Sequence, residues 1–569
     1  MLASASRTLL DAISQAPANR EFVTAWVTED EQETVTFGEF QRRARVHAAV
    51  LRQHGVARGD RVVIVLPQGI PAMAAFVGAM MLGAVPAFLA YPNFKVEPAK
   101  YRAGLSGVSA NLKAKVVLID EQFPAELRAN ISLGEGAALV AIPDGTPDIA
   151  PLELSDSAID ADSPAFLQHS AGTTGLQKGV VLTHQATLRQ IASLVRVLRI
   201  DGSADRVYSW LPLYHDMGLI ACFLLPLVCH MPVVMQSPLD WVMQPESMLQ
   251  IMTDYRCTLA WLPNFAFQFV PRRTPRDRWQ CYDLSSARAL INCSEPVRAA
   301  SMDEFYGAFA PIGLKREALQ SSYAMAENVF AVTQSGGDPA TGPARIWADG
   351  QRFRAEHRVV EVSEQTPGAL SFVSSGRLLP GNKVRIVADS GSTLADGQVG
   401  EILIQSDCLF DGYYNRPDLT AKALIEGWYH SGDLGFCSAE ELYVVGRKND
   451  LLIIGGENIY PQDIEEIASG HSAIHDGRAV AFGLYNPDLG TEEIVLVMEV
   501  ERSELLEQAA AIEADIRRRI VAATGVSAQK IFVKPPAWLV KSTAGKPARS
   551  TTRDKLLREH PELDRRPTS

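Results

Sequence analysis

The feature that most restricts the fold of this chain is a repeated alternation between short apolar runs and longer helical patterns. RVVIVLP (61–67) and KVVLID (115–120) are apolar at nearly every position, whereas Phe40 to Gly55 has helical character. A strand that is apolar on both faces must be covered on both, and helices supply that cover in parallel sheets. The alternation predicts an α/β fold class with layered, largely parallel sheets.

Two later parts of the chain have different patterns. KVRIVADSGSTLADGQVGEILIQS (383–406) indicates a strand, a turn and a second strand, and ELYVVGRKNDLLIIGG (441–456) repeats that pattern. A helical pattern at 503–523, a strand at 531–535 and a loop at 541–550 then indicate a small separate α+β domain. We predict its boundary near Arg447 to Asp450.

Composition and charge exclude several classes of protein. The chain has 569 residues, of which 47% are hydrophobic, so it is globular and long enough for several domains. Its net charge of −12 makes it a poor generic binder of nucleic acid. The charge is uneven, because Arg517 to Ser569 contains 13 Lys and Arg against 4 Asp and Glu, an excess of nine positive charges.

Cysteine usage and hydropathy indicate a cytoplasmic protein. The seven Cys form no CxxC pair, which predicts free thiols in a reducing compartment rather than structural zinc. The N-terminus has no signal-peptide pattern.

Ile70 to Ala90 carries no charge and is long enough to span a bilayer if helical, but Gly78, Gly83 and Pro86 interrupt it. We predict a buried helix, a turn and a buried strand there, and no integral membrane segment.

The strongest local signal is a loop rich in Gly, Ser and Thr. SAGTTGLQKG (170–179) lies between two apolar runs, and Lys178 follows the last loop glycine. Small residues let backbone N–H groups approach an anion, so the loop predicts phosphate binding. It lacks the Gly-Lys-Ser/Thr ending of a Walker A loop. The alternative is an ordinary turn between two strands.

Four further segments carry polar residues of chemical interest. They are SSYAMAE (321–327), YHSGDLG (429–435), GRKND (446–450) and KSTAGK (541–546). Each has a simpler interpretation alone: Glu327 as a solvated helix start, Asp433 as a turn cap and Lys546 as a surface charge.

In this order and spacing, however, the segments resemble the adenylate-forming superfamily of acyl-CoA synthetases, adenylation domains and luciferases, over nearly all of residues 5–555. The chain is most similar to fatty acyl-AMP ligases. Four stretches carry the closer match: LPLYHDMGLI (211–220), LPNFAF (262–267), NCSEPV (292–297) and YPQDIE (460–465).

The resemblance implies a layered α/β N-terminal domain (1–448) with a β-rich subdomain at about 372–448, and a small mobile C-terminal domain (449–569). It implies ATP and Mg²⁺ as cofactors and an acyl-adenylate intermediate. Lys546, Glu327 and His215 correspond to catalytic residues, Glu327 and Thr174 to metal-associated residues, and Asn449 to the hinge. The cofactor-binding residues would be Ser170, Thr173, Thr174, Gly175, Lys178, Ser294, Glu295, Pro296, Tyr323, Asp433 and Arg447.

The chain departs from the family pattern at Ala171, Gln177, Ala324 and Asn449. The functional side chains are retained, so we expect activity, and the departure at Asn449 affects the predicted hinge.

The acid is predicted to be a medium-chain or long-chain fatty acid, with an aromatic acid as the alternative. Six of the 13 Met and several aromatic residues lie between 210 and 270, where they could line an acyl pocket or belong to an ordinary core. The predicted acyl-pocket residues are Trp210, Met217, Gly218, Asn264 and Phe265.

The predicted acceptor is the phosphopantetheine thiol of a separate acyl carrier protein. In fatty acyl-AMP ligases an insertion limits the domain movement that CoA requires, and Gly342 to Glu361 resembles that insertion. The alternatives are an acyl-CoA ligase and a non-catalytic nucleotide-binding relative.

Overall fold

The computed structural model describes residues 6–92, 98–143, 145–153, 159–169, 178–336, 342–454, 457–486, 491–541 and 547–564. The strands of its larger part are β1 Glu21–Trp26, β2 Gln32–Thr36, β3 Arg61–Val65, β4 Val85–Phe88, β5 Val116–Asp120, β6 Ala138–Ile142, β7 Pro164–His169, β8 Gly179–Thr183, β9 Val207–Ser209, β10 Val233–Gln236, β11 Leu259–Leu262, β12 Ala289–Asn292, β13 Leu319–Ala324, β14 Ala331–Gln334, β15 Arg345–Asp349, β16 Ala369–Val373, β17 Arg377–Leu378, β18 Asn382–Val387, β19 Gly400–Ser406, β20 Gly412–Tyr413, β21 Leu424–Ile425, β22 Trp428–Ser438 and β23 Glu441–Arg447.

The helices of this part are α1 Leu9–Ser14, α2 Phe37–Gln53, α3 Ile70–Met81, α4 Pro98–Leu112, α5 Ala125–Arg128, α6 His184–Val197, α7 Leu225–Val228, α8 Pro238–Met243, α9 Ser247–Asp254, α10 Ala266–Arg273, α11 Ala299–Phe309, α12 Gly350–Glu356 and α13 Pro417–Ala423. A π-helix, Met217–Leu224, leads directly into α7. The remaining elements are β24 Leu452–Ile454, β25 Glu457–Ile459, α14 Pro461–Ser469, β26 Ile474–Asn486, β27 Thr491–Val500, α15 Ala509–Thr524, β28 Lys530–Lys534 and α16 Arg549–Glu559.

Two large sheets form the body of the chain. Within the described residues, one sheet has the strand order β17-β14-β13-β12-β11-β9-β10-β1-β2 and the other β20-β8-β7-β4-β3-β5-β6. The pairs from β13 through β10 to β1 are parallel, but β2, β14 and β17 pair antiparallel, as do β8 and β20 in the second sheet. The α/β class is confirmed, and the sheets are mixed rather than largely parallel.

The uncharged segment is buried between these layers as predicted. It forms α3 and β4, and no described helix is long and apolar enough to cross a membrane. Gly78 lets α3 pack closely on α2, because a Cβ there would lie 2.5 Å from the Ala44 carbonyl oxygen. The Phe76 ring contacts both Phe166 of β7 and Phe223 of the π-helix, with centroids 5.7 and 6.1 Å away. All seven Cys are free, and five of them are buried.

A five-stranded sheet of β18, β19, β21, β22 and β23 forms the β-rich part predicted from the sequence. The predicted pattern at 441–456 does give two strands. These strands belong to different sheets, however, because β23 pairs with β22 while β24 pairs with β25. The chain therefore leaves the β-rich sheet within the 3₁₀ turn Lys448–Asp450 that separates them.

The last part of the chain has its own hydrophobic core. A separate cluster of buried residues runs from Leu452 to Ile531 and includes Ile494, Leu496 and Ile516. The predicted helix at 503–523 begins as a 3₁₀ turn, Ser503–Gln508, and continues as α15. The predicted loop at 541–550 ends earlier than expected, because α16 starts at Arg549.

Candidate active site

Parallel strands of the nine-stranded sheet bring four predicted site residues and one further tryptophan to one edge. β13, β12, β11, β9 and β10 are neighbours and run in the same direction, so their carboxyl ends share that edge. Tyr323, Ser294, Phe265, Trp210 and Trp241 lie at or just beyond those five ends, in that order. Crevices at the carboxyl ends of such strands are the usual ligand sites of open α/β sheets.

Tyr323, Asp433 and Arg447 form the first polar group of the site. The Tyr323 hydroxyl donates to Asp433 Oδ2 at 2.6 Å, and Arg447 Nε lies 3.3 Å from Asp433 Oδ1. Asp433 and Arg447 face each other across the β22–β23 pair, which aims both side chains at one place. Burial raises the pKa of Asp433, while the Arg447 charge and the Tyr323 hydrogen bond act in the opposite direction.

Glu327, Tyr413 and Lys178 form a second group. The Tyr413 hydroxyl donates to Glu327 Oε1 at 2.7 Å, and Lys178 Nζ lies 4.6 Å from the centre of the Tyr413 ring. Glu327 is 8% exposed in the 3₁₀ turn Ala326–Asn328, so it is not a solvated helix start. Burial raises the pKa of the Tyr413 hydroxyl, and the neighbouring Glu327 raises it further.

Tyr413 is the functional candidate that the sequence did not reveal. It belongs to β20, which pairs with β8, and the Tyr414 amide donates to the Gly179 carbonyl at 2.7 Å. Because Gly179 is the last residue of the glycine-rich segment, this pairing holds Tyr413 beside the end of that segment. More than 200 residues separate β8 and β20 in sequence, and no local pattern marks their contact.

The segment after β12 lies between the predicted nucleotide residues and the predicted acid pocket. Ser294 has a φ of 69°, a left-handed conformation that is uncommon outside glycine and clusters at functional sites. Its hydroxyl donates to the Met217 sulfur at 3.7 Å, and Glu295 Oε2 accepts from the Phe265 amide at 3.0 Å. Pro296 is exposed beside them.

Asn264 holds this region together. Its Oδ1 accepts from Asn292 Nδ2 at 2.9 Å and from the Arg298 amide at 3.0 Å, while its Nδ2 donates to the Ser301 hydroxyl at 3.1 Å. The ends of β11 and β12 are therefore fixed to each other and to the start of α11. The Asn264 amide therefore forms its hydrogen bonds with protein groups, which gives it a role in holding the strand ends together.

The segment at 211–220 forms the turn and the π-helix at this edge. His215 Nδ1 lies 2.7 Å from Asp216 Oδ1, and the Asp216 side chain accepts from the Met217 amide at the start of the π-helix. A Cβ at Gly218 would lie 2.3 Å from the Pro212 carbonyl oxygen, so only glycine fits. π-helical turns are frequent at functional sites.

The predicted hinge residue lies in the turn that precedes the C-terminal core along the chain. Asn449 is exposed within the Lys448–Asp450 turn, and Lys448 pairs with Asp389 and Glu401 at 2.8 and 3.2 Å. Arg549 at the start of α16 pairs with Asp450 and with Glu465, the latter at 2.7 Å.

The predicted catalytic lysine, Lys546, and most of the predicted phosphate loop lie outside the described residues, including Ser170, Thr173, Thr174 and Gly175. The base of the lysine loop is described. Lys541 and Pro547 form a β-bridge, and the Ala548 amide donates to the Val540 carbonyl at 2.8 Å. The pairs of Arg549 with Asp450 and Glu465 therefore place the start of α16 beside the Lys448–Asp450 turn.

A comparison with known families decides the family of the chain. Residues 10–414 match the model of the family described as AMP-binding enzyme. The chain belongs to this AMP-binding enzyme family. The resemblance inferred from the sequence is thus confirmed.

Individual relatives of this AMP-binding enzyme are similar over most of their length. A 4-hydroxyphenylalkanoate adenylyltransferase of Mycobacterium marinum is 30% identical, with 91% of this chain and 85% of the relative covered. The medium-chain-fatty-acid–[acyl-carrier-protein] ligase JamA of Moorena producens is also 30% identical, with 93% and 91% covered.

Solved structures agree with this assignment. A structure from studies of fatty acyl-adenylate ligases from E. coli and L. pneumophila is 26% identical, covers 99% of both chains and has a TM-score of 0.88. A fatty acyl-adenylate ligase from L. pneumophila in complex with acyl adenylate and pyrophosphate is 27% identical, with 98% and 97% covered and a TM-score of 0.73.

Proposed function

We propose that this AMP-binding enzyme activates a fatty acid with ATP and transfers the acyl group to the phosphopantetheine thiol of a separate acyl carrier protein. The observation that carries the proposal is the convergence of Tyr323, Asp433 and Arg447 with Glu327 and Lys178, which come from distant parts of the chain. Its relative JamA, named as a fatty-acid–acyl-carrier-protein ligase, supports the same acceptor.

The two polar groups suit the two ends of a nucleotide. Tyr323 and Arg447 orient the Asp433 carboxylate, so it would accept hydrogen bonds from the ribose hydroxyls. Lys178 and the glycine-rich loop would bind the phosphates, because backbone N–H groups and a point charge stabilise anions. Ser294, Glu295 and Pro296 would line the adenine side.

Glu327 is the described residue best suited to Mg²⁺. Among the described residues no cluster of three or more His, Cys, Asp or Glu could hold a metal, so protein groups alone make no cage. Mg²⁺ is commonly held by one or two carboxylates together with substrate phosphates, and a buried glutamate oxygen fits that pattern. With Thr174 as the second ligand, the ion would neutralise phosphate charge.

The first reaction joins two anions. A carboxylate oxygen of the acid attacks the α-phosphorus of ATP, the bond from that phosphorus to the bridging oxygen breaks, and pyrophosphate leaves with the electron pair. The barrier is electrostatic and positional, so cations that face the developing charge lower it. Lys546, on the loop anchored by Arg549, would supply such a charge.

A test of Lys546 separates chemistry from binding. Lys546→Ala should abolish ATP–pyrophosphate exchange while leaving ATP affinity nearly unchanged, because Asp433, Arg447 and Lys178 remain. Exchange is measured with dodecanoate, and ATP affinity by equilibrium titration. Near-normal exchange in this variant would show that the lysine does not act in adenylation.

The region between β14 and β17 supports a carrier protein as acceptor rather than CoA. β15, α12 and β16 lie there, and the Phe353 ring of α12 packs against Tyr460, with centroids 5.6 Å apart. Arg354 donates to the Ala523 carbonyl of α15 at 3.2 Å. Both partners belong to the C-terminal part, so these contacts would restrain its rotation about Asn449.

The acceptor is decided by a competition between thiols. The enzyme is incubated with ATP, Mg²⁺ and dodecanoate, and then receives CoA or a holo acyl carrier protein. We expect acyl transfer to the carrier and little CoA thioester. Efficient formation of the CoA thioester would identify an acyl-CoA ligase instead.

A further inference from the structure

The order of strands along the site edge gives the direction in which the acid extends. Tyr323 and Ser294 lie at the ends of β13 and β12, on the side proposed for the nucleotide. From β12 the neighbouring strands are β11, β9 and then β10. With about 4.8 Å between strands, the end of β10 lies about 14 Å from the end of β12. Trp241, in α8 directly after β10, is therefore the site-edge residue farthest from the nucleotide.

Four aromatic rings fill this far end. The indoles of Trp210 and Trp241 are parallel, with centroids 3.7 Å apart and an interplanar angle of 3°. Phe265 packs edge-on against both indoles at 6.0 and 5.9 Å, and Phe269 contacts Trp241 at 5.5 Å. Two indoles at van der Waals separation leave no space for an alkyl chain between them.

The surroundings hold Trp241 in place. Its side chain is fully buried, and the guanidinium of Arg273 lies 5.6 Å from the Phe269 ring that packs on it. Two residues further along α8, Met243 is 75% exposed, so the face of this helix opposite the indole meets solvent. Flexible methionine side chains can adapt to acyl chains of several lengths. A rigid indole held by its neighbours cannot adapt in this way.

We propose that Trp241 is the far wall of the acid pocket and limits the substrate to an acid of medium chain length, excluding long unbranched chains. The inference rests on the proposed function, since it assigns the acid to the β11–β9–β10 side of the same site. Trp241 was not among the residues predicted for the acyl pocket. Trp210 was among them, but the sequence does not show that Trp241 stacks on Trp210.

The test compares chain-length profiles. ATP–pyrophosphate exchange is measured with octanoate, dodecanoate and hexadecanoate for the wild type, for Trp241→Ala and Trp241→Leu, and for Met243→Ala. Met243→Ala is the matched control, because it truncates an exposed residue of the same helix. In the two Trp241 variants we expect the ratio of kcat/KM for hexadecanoate over octanoate to rise roughly tenfold or more, with KM for ATP unchanged.

The outcomes separate this inference from the proposed function. If the wild type exchanges with octanoate or dodecanoate and the Trp241 variants keep its chain-length ratio, Trp241 is not the wall although the enzyme activates fatty acids. A wild type that already prefers hexadecanoate overturns the inference in the same way. If the wild type exchanges with none of the three acids, the proposed function fails as well. Trp241→Leu keeps a smaller apolar side chain at this position, so a folding defect of Trp241→Ala alone leaves the comparison intact.

Discussion

The hydrogen bond from Tyr323 to Asp433 offers a direct test of the nucleotide site. Tyr323→Phe removes one hydroxyl and keeps the ring. At 2.6 Å this hydrogen bond has a carboxylate acceptor, and bonds of that kind contribute about 1.5–3 kcal/mol. Asp433 would retain Arg447, whose side chain is 68% exposed and lies 3.3 Å away. Much of the orientation of the carboxylate would therefore be lost.

That free energy sets the upper limit of the effect on ATP binding. Each 1.4 kcal/mol is a factor of ten, so we expect KM for ATP to rise roughly tenfold to hundredfold. The value of kcat should change less, because the residues that face the α-phosphate stay in place. KM and kcat are measured by ATP–pyrophosphate exchange at saturating fatty acid.

The pH profile gives a second measurement that a merely structural role would not change. Burial raises the pKa of Asp433, and the Tyr323 hydrogen bond lowers it. Removal of the hydroxyl therefore raises this pKa further. Ribose binding needs the ionised carboxylate, which is present above that pKa and lost as pH falls through it. The acid limb of log(kcat/KM) for ATP should move to higher pH.

A second buried tyrosine provides the control. The Tyr208 hydroxyl donates to Gln236 Oε1 at 3.1 Å, so Tyr208→Phe makes the same chemical change at a neutral acceptor. It should lower stability by about 1 kcal/mol without changing KM for ATP. If Tyr323→Phe leaves both KM and the acid limb at their wild-type values, Asp433 is not the ribose acceptor.

Three further predictions concern the hinge, the insertion and pH stability. Arg549→Lys should lower the adenylation kcat roughly tenfold, because lysine cannot hold both Asp450 and Glu465 beside the lysine loop. Phe353→Leu should raise the yield of CoA thioester relative to carrier thioester by loosening the contact with Tyr460. Burial lowers the pKa of His47 from 6.5 to about 4. The contribution of the neutral His47 to the free energy of unfolding is therefore complete above pH 6.5 and is lost as pH falls toward 4. The free energy of unfolding is measured by urea titration at each pH. In His47→Leu its decrease between pH 6.5 and pH 4 should be smaller by about 3 kcal/mol.

The first two of these predictions have matched control variants. Arg553→Lys alters an exposed pair on the same helix and should leave kcat unchanged; equal effects of both changes would contradict a specific role for Arg549. Phe309→Leu alters a buried ring of α11, and it should not affect acceptor choice. An unchanged pH slope in His47→Leu would assign the acid sensitivity to other groups.

Local patterns were sufficient to predict elements whose partners are close in sequence. α3 and β4 follow from apolar runs interrupted by Gly83 and Pro86, because burial and turn propensity act over a few residues. The hairpin of β18 and β19 follows from its Gly and Asp turn for the same reason. The mixed pairing of the sheets did not follow, since strand direction depends on partners that are distant in the chain.

The candidate site divides in the same way. The sequence by itself determined the residue types of the proposed nucleotide site, because Tyr323, Asp433 and Arg447 lie in recognisable segments with family spacing. Only the tertiary structure decided that Tyr413 meets Glu327 and that Trp241 stacks on Trp210. The first contact depends on the pairing of β20 with β8, and the second on the place of β10 beside β9. Strand order is set by burial of the whole core and leaves no signal in any short segment.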